Sequence, residues 1–321
     1  MLSPRHFVLN TFIITLLMLV VTITANIYID FYGLFRSTQG RHIFLHFNER
    51  FEKNLLSRRY VPENFDALLI GPSTSFNIDT KKWEKFKIYN MSILAGTITE
   101  LKALVENYLS VRVPKLVVIG MYPYMLKAHG MKTEYISNRA LYGVLGSMDI
   151  VKSYILSWYH EVTGTGTYND YGYHRYEEVS IEHAQQAITE KASDKKYSQE
   201  LAIELLAWME YCELIEELAA HGTYIVQYYH PVPRAVYEAH REFFDTYYEW
   251  TRQLLPPDAV SINFNTLAFY DFTSNIQNYQ DDCHLSGKGA EELGQILYRS
   301  LFDHVEHLFL SSSLDHTLVK M

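Results

Sequence analysis

Five short apolar runs constrain this chain more than any other feature: Ala67 to Ile70, Lys87 to Tyr89, Lys115 to Ile119, Tyr224 to Tyr228 and Val260 to Asn263. Each ends in a polar or glycine-bearing loop, and helical patterns fill the intervals. Short apolar runs spaced this way belong to strands buried on both faces, so the pattern predicts a parallel sheet covered by helices. Thr97-Ile98-Thr99-Glu100 has the form of a capping box, followed by Leu101, Leu104, Val105, Tyr108 and Leu109 at helical spacing. A second helix is predicted from about Ser198 to His221, with Leu201, Leu205, Trp208, Cys212, Ile215 and Ala219 as its stripe and Gly222 at its stop. A third starts near Gly287 and carries Ala290, Leu293, Ile296, Leu297 and Leu301. These stripes read as core. With 48% hydrophobic residues among 321, the chain has ample material for it.

From Phe7 to Ile29 there is no charged residue, and Ile, Leu and Val dominate the centre of the stretch. At about 1.5 Å per residue it covers a hydrocarbon layer of roughly 30 Å. The apolar core of a cleaved signal is shorter, so the stretch reads as an uncleaved anchor, with Thr22-Ile23-Thr24-Ala25 a poor alternative cleavage site. Tyr28, Phe31, Tyr32 and Phe35 suit the far interface. Arg5 precedes the stretch while Arg36 and Arg41 come after it, which leaves the charge rule for orientation ambiguous. The short leading segment, and no later apolar stretch of comparable length, predict that the bulk of the chain lies outside the cytoplasm. The expected organisation is an anchor over residues 1–35 and one α/β domain over 36–321. A net charge of -9 without a Lys/Arg-rich run argues against nucleic acid and against a polybasic lipid-binding surface. Cys212 and Cys283 match neither a disulfide framework nor a metal spacing and read as unpaired thiols.

Two motifs carry chemistry. Gly71-Pro72-Ser73-Thr74-Ser75 comes directly after the first apolar run, and Asp281-Asp282-Cys283-His284-Leu285 comes after the fifth. In a parallel sheet both fall on the edge where ligands bind. His284 is the natural base for the Ser73 hydroxyl, and Asp281 is placed to hold its ring, with Asp282 a competing carboxylate. Donors to an oxyanion are expected from the backbone N–H groups of Ser73 and Gly96. Between Tyr122 and about Lys196 the pattern loosens. There Thr163 to Tyr176 packs glycines, tyrosines and polar groups into a connection that reads as an ordered lid or sugar platform, or else as an insertion that caps the sheet. His230, before Pro231, reads as structural or as lining the site. Gly287-Lys288-Gly289 reads as a helix start that caps or binds an anion. No His/Asp/Glu cluster has zinc spacing, so neither metal nor cofactor is expected.

These residues resemble the SGNH, or GDSL-type, hydrolases. The family's first block looks like Leu68-Leu69-Ile70-Gly71-Pro72-Ser73, its second-block glycine is similar to Gly96, and its closing Asp-x-x-His is matched by Asp281 and His284. The resemblance covers about residues 63 to 305, with nothing diagnostic from 122 to 222. It implies a three-layer α/β/α fold with a five-stranded parallel, flavodoxin-like sheet behind one transmembrane helix. It implies catalysis by Ser73, Asp281 and His284. Within the superfamily the chain looks most like anchored members that assist O-acetylation of extracellular polysaccharide or D-alanylation of teichoic acid. A cell-envelope polymer and a membrane-embedded acyltransferase are then the expected partners. The family's third block, Gly-x-Asn-Asp, departs here to Gly120-Met121-Tyr122-Pro123, which lacks the oxyanion asparagine. Asn90, Ser92 and the Tyr122 hydroxyl are the candidate replacements. Three functions stay open: acyl transfer or ester hydrolysis on a polymer, a lipid esterase, and a non-catalytic scaffold in polysaccharide export.

Overall fold

The structure is a computed structural model that describes residues 4–45, 48–83, 85–127, 135–163 and 168–318. The chain opens with α1 (Pro4–Ile29), α2 (Glu49–Leu56) and α3 (Tyr60–Asn64), then β1 (Ala67–Ile70), α4 (Ser73–Phe76), β2 (Ile88–Asn90), α5 (Ile98–Leu109) and β3 (Leu116–Met121). A helical insertion comes next, made of α6 (Asn138–Gly146), α7 (Met148–Thr163), α8 (Ile181–Ser193) and α9 (Tyr197–Glu200). The chain then returns to the sheet through α10 (Leu205–Ala220), β4 (Tyr224–Tyr229), α11 (Arg234–Ala239), α12 (Arg241–Gln253), β5 (Val260–Asn263), α13 (Tyr270–Ser274) and α14 (Gly287–Leu318).

All five strands are parallel, in the order β2-β1-β3-β4-β5. Ala67 stands between Ile88 and Leu116, and Leu116 is opposite Tyr224. Because side chains alternate across a strand, β1 divides its residues between two cores. Leu68 and Ile70 join Leu101, Leu104, Leu214 and Leu218 on one face, while Ala67 and Leu69 join Leu293, Leu297 and Leu301 on the other. This is the three-layer α/β/α sandwich with a flavodoxin-like strand order that the sequence predicts. The order reverses between β1 and β3, and the crevice beyond the strand ends at such a reversal is where ligands bind. Ser73 lies there.

Three sequence expectations need correction. The helix predicted from Ser198 is two pieces, interrupted where the Glu204 N–H donates to the Leu126 carbonyl at 2.9 Å. Leu201 packs into the core on one side of the sheet and Leu214 into the core on the other, so one straight helix has no way to serve both. The buried face of α10 is Ala207, Tyr211, Leu214, Ile215 and Leu218, leaving Leu205 and Ala219 exposed. At α5 the Thr97 side chain makes no capping bond, and buried Glu100 pairs with Arg50 at 3.2 Å. The described residues between 122 and 196 are largely helical. Of its glycine-tyrosine stretch, residues 164–167 lie outside the described residues.

Residues 168–176 form an ordered strap against the sheet. Gly172 has φ +77°, and a Cβ there would lie 2.3 Å from the Asn90 carbonyl, so only glycine fits. The Asn90 N–H donates to the Tyr171 carbonyl at 2.8 Å and the His174 N–H to the Phe76 carbonyl at 3.2 Å, tying the strap to β2 and α4. Beneath it the fully buried Lys53 donates to the carbonyls of Asn90, Ser92 and Gly172, with its ammonium 4.4 Å from the Phe76 ring centre. Burial pulls its pKa well below the usual lysine range. Lys53→Met keeps the volume but strands three buried acceptors. It is expected to destabilise the fold by about 2–4 kcal/mol in denaturant unfolding. An unchanged unfolding midpoint would show that the strap does not depend on this lysine.

Candidate active site

The nucleophile candidate is seated by residues that are themselves buried. Pro72 is extended and the Ser75 N–H donates back to its carbonyl at 3.0 Å, which starts α4 at Ser73. The Asn90 amide closes the turn from below by donating to the carbonyls of Ser75, Phe76 and Ile78 at 2.9 to 3.3 Å. Ser75 points into the sheet, where the Tyr228 hydroxyl donates to its Oγ at 2.7 Å. A Cβ at residue 120 would meet that Oγ at 2.0 Å, so Gly120 is needed to admit it. Of the two serines in the motif, therefore, Ser75 is a structural plug and Ser73 faces the crevice.

The loop from Gln280 to His284 arrives opposite. The Gln280 N–H donates to the His284 carbonyl at 2.8 Å, and Tyr279 bridges Leu285. Asp281 Oδ1 accepts the N–H groups of Cys283 (2.9 Å) and His284 (2.6 Å), while Oδ2 lies 2.8 Å from His284 Nδ1. Because the carboxylate only accepts, Nδ1 carries the ring proton and Nε2 is left as the acceptor. The Ser73 hydroxyl donates to that Nε2 at 2.8 Å. Asn77 ties the two halves together by donating to the Leu285 carbonyl at 2.8 Å.

Electrostatics mirror the geometry. Burial alone would raise the Asp281 pKa, but the hydrogen bonds and charge of His284 and the two loop amides outweigh it and hold it at about 2. Burial alone would lower the His284 pKa, but Asp281, with Asp282 beyond it, outweighs that and raises it. Asp282 does not contact the ring; it accepts from the Tyr197 hydroxyl at 3.3 Å, and burial together with Asp281 pushes its pKa up. His230, buried in the turn after β4, has its pKa lowered to about 3 by burial. It is therefore neutral, and its Nε2–H donates to the Cys283 carbonyl at 2.8 Å, pinning the loop from beneath. That resolves its reading as structural.

Of the expected oxyanion groups, Gly96, Asn90 and Tyr122 are engaged elsewhere. The Gly96 N–H donates to the Ile93 carbonyl at 3.1 Å. The Asn90 amide is held by the α4 turn and its Oδ1 accepts the Ser92 N–H, while the Tyr122 hydroxyl pairs with that of Tyr197. Ser92 is buried and its carbonyl receives Lys53, while its hydroxyl has no partner among the described residues. The expected Ser73 amide remains, with that of Thr74 beside it; both open a helical turn where no earlier helical carbonyl can take them. Asp281, Cys283 and His284 place ligand atoms within 4.8 Å of one another. A cation there would need the Nδ1 and carboxylate that already bond each other, and a thiol that burial pushes well above its ordinary pKa. At α14 the Ser286 hydroxyl accepts the Gly289 N–H at 3.1 Å, so this helix start is capped by its own chain.

Sequence reasoning missed Tyr176. It closes one wall of the site, donating to the Ser73 carbonyl at 2.7 Å and standing edge-on to the His284 ring, centroids 5.8 Å apart. The only signal was the aromatic density of the stretch. On the other side of Tyr176 a cleft of about 450 Å³ runs toward α14, lined by Trp83, Tyr173, Arg175, Glu291 and Tyr298 among others. Trp83 and Tyr298 stack at 6.4 Å within it.

No family model and no curated protein matches the chain. Among solved structures it is similar to a Streptococcus pneumonia protein described as a platelet activating factor. That pair shares 13% identity over 79% of this chain and 92% of the other, with a TM-score of 0.43. It is also similar to a Desulfitobacterium hafniense protein described as a lipolytic protein of the G-D-S-L family, with 10% identity over 74% and 99% of the two chains and a TM-score of 0.38. The chemistry rests on the geometry of Ser73, His284 and Asp281.

Proposed function

We propose that the chain is a serine-dependent acyl-transfer enzyme of the SGNH type. The observation that carries this is the unbroken line from Ser73 Oγ through His284 to Asp281, at 2.8 Å for each link. Ser73 Oγ attacks the acyl carbon as its proton passes to His284 Nε2, and the imidazolium then gives that proton to the leaving oxygen. A second hydroxyl, from water or an acceptor, attacks the acyl carbon as its proton passes to Nε2; the Ser73–acyl bond breaks and the imidazolium gives that proton back to Ser73 Oγ. The Ser73 and Thr74 amides stabilise the oxyanion.

The finer reading is a membrane-anchored acyltransferase or esterase acting on an extracytoplasmic polysaccharide. α1 supports the anchor: it is long enough to span, with a mean hydropathy of 2.4 over its most apolar window and none of that window buried. The cleft supports a sugar, because a lining of Tyr173, Tyr176 and Tyr298 with Arg175 and Glu291 offers more hydroxyl and charged partners than an acyl chain would use. With an acetyl ester as donor, oligosaccharides are expected to gain acetyl groups faster than the ester is hydrolysed, and short acyl chains to be preferred. Preference for long-chain esters without transfer would favour the lipid esterase instead. The scaffold reading draws on the engaged Gly96, Asn90 and Tyr122 and the absent third-block asparagine; neither transfer nor hydrolysis in this assay would favour it.

A further inference from the structure

Asn26 is the one buried residue of α1 among those described. Its amide donates to the Val144 and Leu145 carbonyls at 3.0 and 2.9 Å, and its Oδ1 accepts the Tyr154 hydroxyl at 2.7 Å. Thr22 and Ile23 are half-buried, and a Cβ placed on Gly146 would lie 3.6 Å from Leu19 Cδ1. Leu19, Thr22, Ile23 and Asn26 recur at the spacing of one helix face, so the end of α6 lies along α1. Leu19 is about 15 Å down the helix from Ile29. The turn between α6 and α7 thus stands beside the apolar half of α1, below its aromatic end. The final carbonyls of a helix have no partner within it, and hydrocarbon offers none. Asn26, an amide in the apolar stretch of α1, supplies that partner.

The next helix carries the complementary feature. On α7, Ile155, Trp158, Tyr159 and Val162 are 61, 65, 51 and 67% exposed, at positions that form one stripe, while Ile150 and Ser153 on the other side are buried. The outward residues of α1 are likewise exposed along its length. A Trp and a Tyr beside aliphatic residues suit the headgroup boundary of a bilayer.

We infer that α6 and α7 form a second membrane-seated element, docked on α1 through Asn26, with Ile155, Trp158, Tyr159 and Val162 against lipid. This rests on the proposed reading of α1 as a membrane span. Its consequence is orientation: a single helix would leave the α/β domain free to tilt, whereas the hairpin fixes the domain at one angle to the surface.

The test uses the full chain in phosphatidylcholine vesicles with and without brominated acyl chains, reading tryptophan emission. Brominated lipid is expected to quench part of the wild-type emission, and Trp158→Phe to lose that part while iodide quenching of exposed Trp250 persists. If the chain survives carbonate extraction but brominated lipid leaves its emission unchanged, or quenches Trp158→Phe equally, the hairpin inference is overturned and the stripe faces water or a protein. Release of the chain by carbonate would overturn the anchor reading and this inference with it.

Discussion

Ser73→Ala is expected to abolish acyl-enzyme formation and cut ester turnover by about 10³-fold or more, because among the described residues no other hydroxyl reaches His284 in the same way. Incubation with p-nitrophenyl acetate and intact-mass analysis of the product reads this directly. The wild type gains one acetyl adduct and the variant none. The substitution removes a hydrogen bond at the crevice and leaves the buried seat of α4 intact, so unfolding should shift by less than about 1 kcal/mol. Ser75→Ala is the informative control. It strands the Tyr228 hydroxyl in the core, and should cost about 1–3 kcal/mol of stability while the adduct on Ser73 still forms. An adduct that persists in Ser73→Ala would remove Ser73 from the mechanism. A wild type that never acylates would move the chain to the scaffold reading. Turnover is expected to be slow even when the adduct forms, since loss of one oxyanion donor typically costs about 10²–10³-fold.

The contrast between Ser73 and Ser75 shows where sequence reasoning reaches and where it stops. Strand–Gly–Pro–Ser is a local pattern, and so is Asp281 three residues before His284, so the relay was legible in the sequence. Strands β1 and β5 were legible to the residue because apolar runs bounded by breakers depend only on near neighbours. The engagement of Asn90 was not legible, for a different reason. Asn90 looks like a donor facing the site, but the carbonyls of Ser75, Phe76 and Ile78 in the α4 turn draw its amide, beside the backbone N–H groups that also reach two of them. That demand arises from packing between segments and leaves no periodic trace. The same holds for Lys53, whose partners Asn90, Ser92 and Gly172 are scattered along the chain. The hairpin of α6 and α7 was hidden because its apolar residues divide between a face on the domain and a face left exposed, which blurs a helical stripe.

Asp281→Asn is expected to lower turnover by about 10³–10⁴-fold and to move the acidic limb of the pH profile downward. In the wild type His284 must be neutral at Nε2 to take the Ser73 proton, and its raised pKa places that limb above the ordinary histidine value of about 6.5. Removing the carboxylate leaves burial as the dominant influence, which lowers the imidazole pKa, so the ring loses its proton earlier as pH rises. The base is then available over a wider range but is weaker and no longer held in one tautomer, which is why the limb moves and the rate still falls. Stability carries its own signature. Asp281 has a depressed pKa, so its contribution is present above the unfolded carboxylate value of about 4 and is lost as pH falls through about 2. The raised pKa of His284 contributes below about 6.5 and is lost as pH rises through the folded value. The variant should lose both contributions, so its deficit against the wild type is greatest between these windows and shrinks towards strong acid. Asp282→Asn, whose carboxylate meets Tyr197 and acts on the ring only through its charge, should lower the limb less than Asp281→Asn does. Equal effects of the two substitutions would mean that general negative charge, and not the Asp281 hydrogen bond, sets the state of His284.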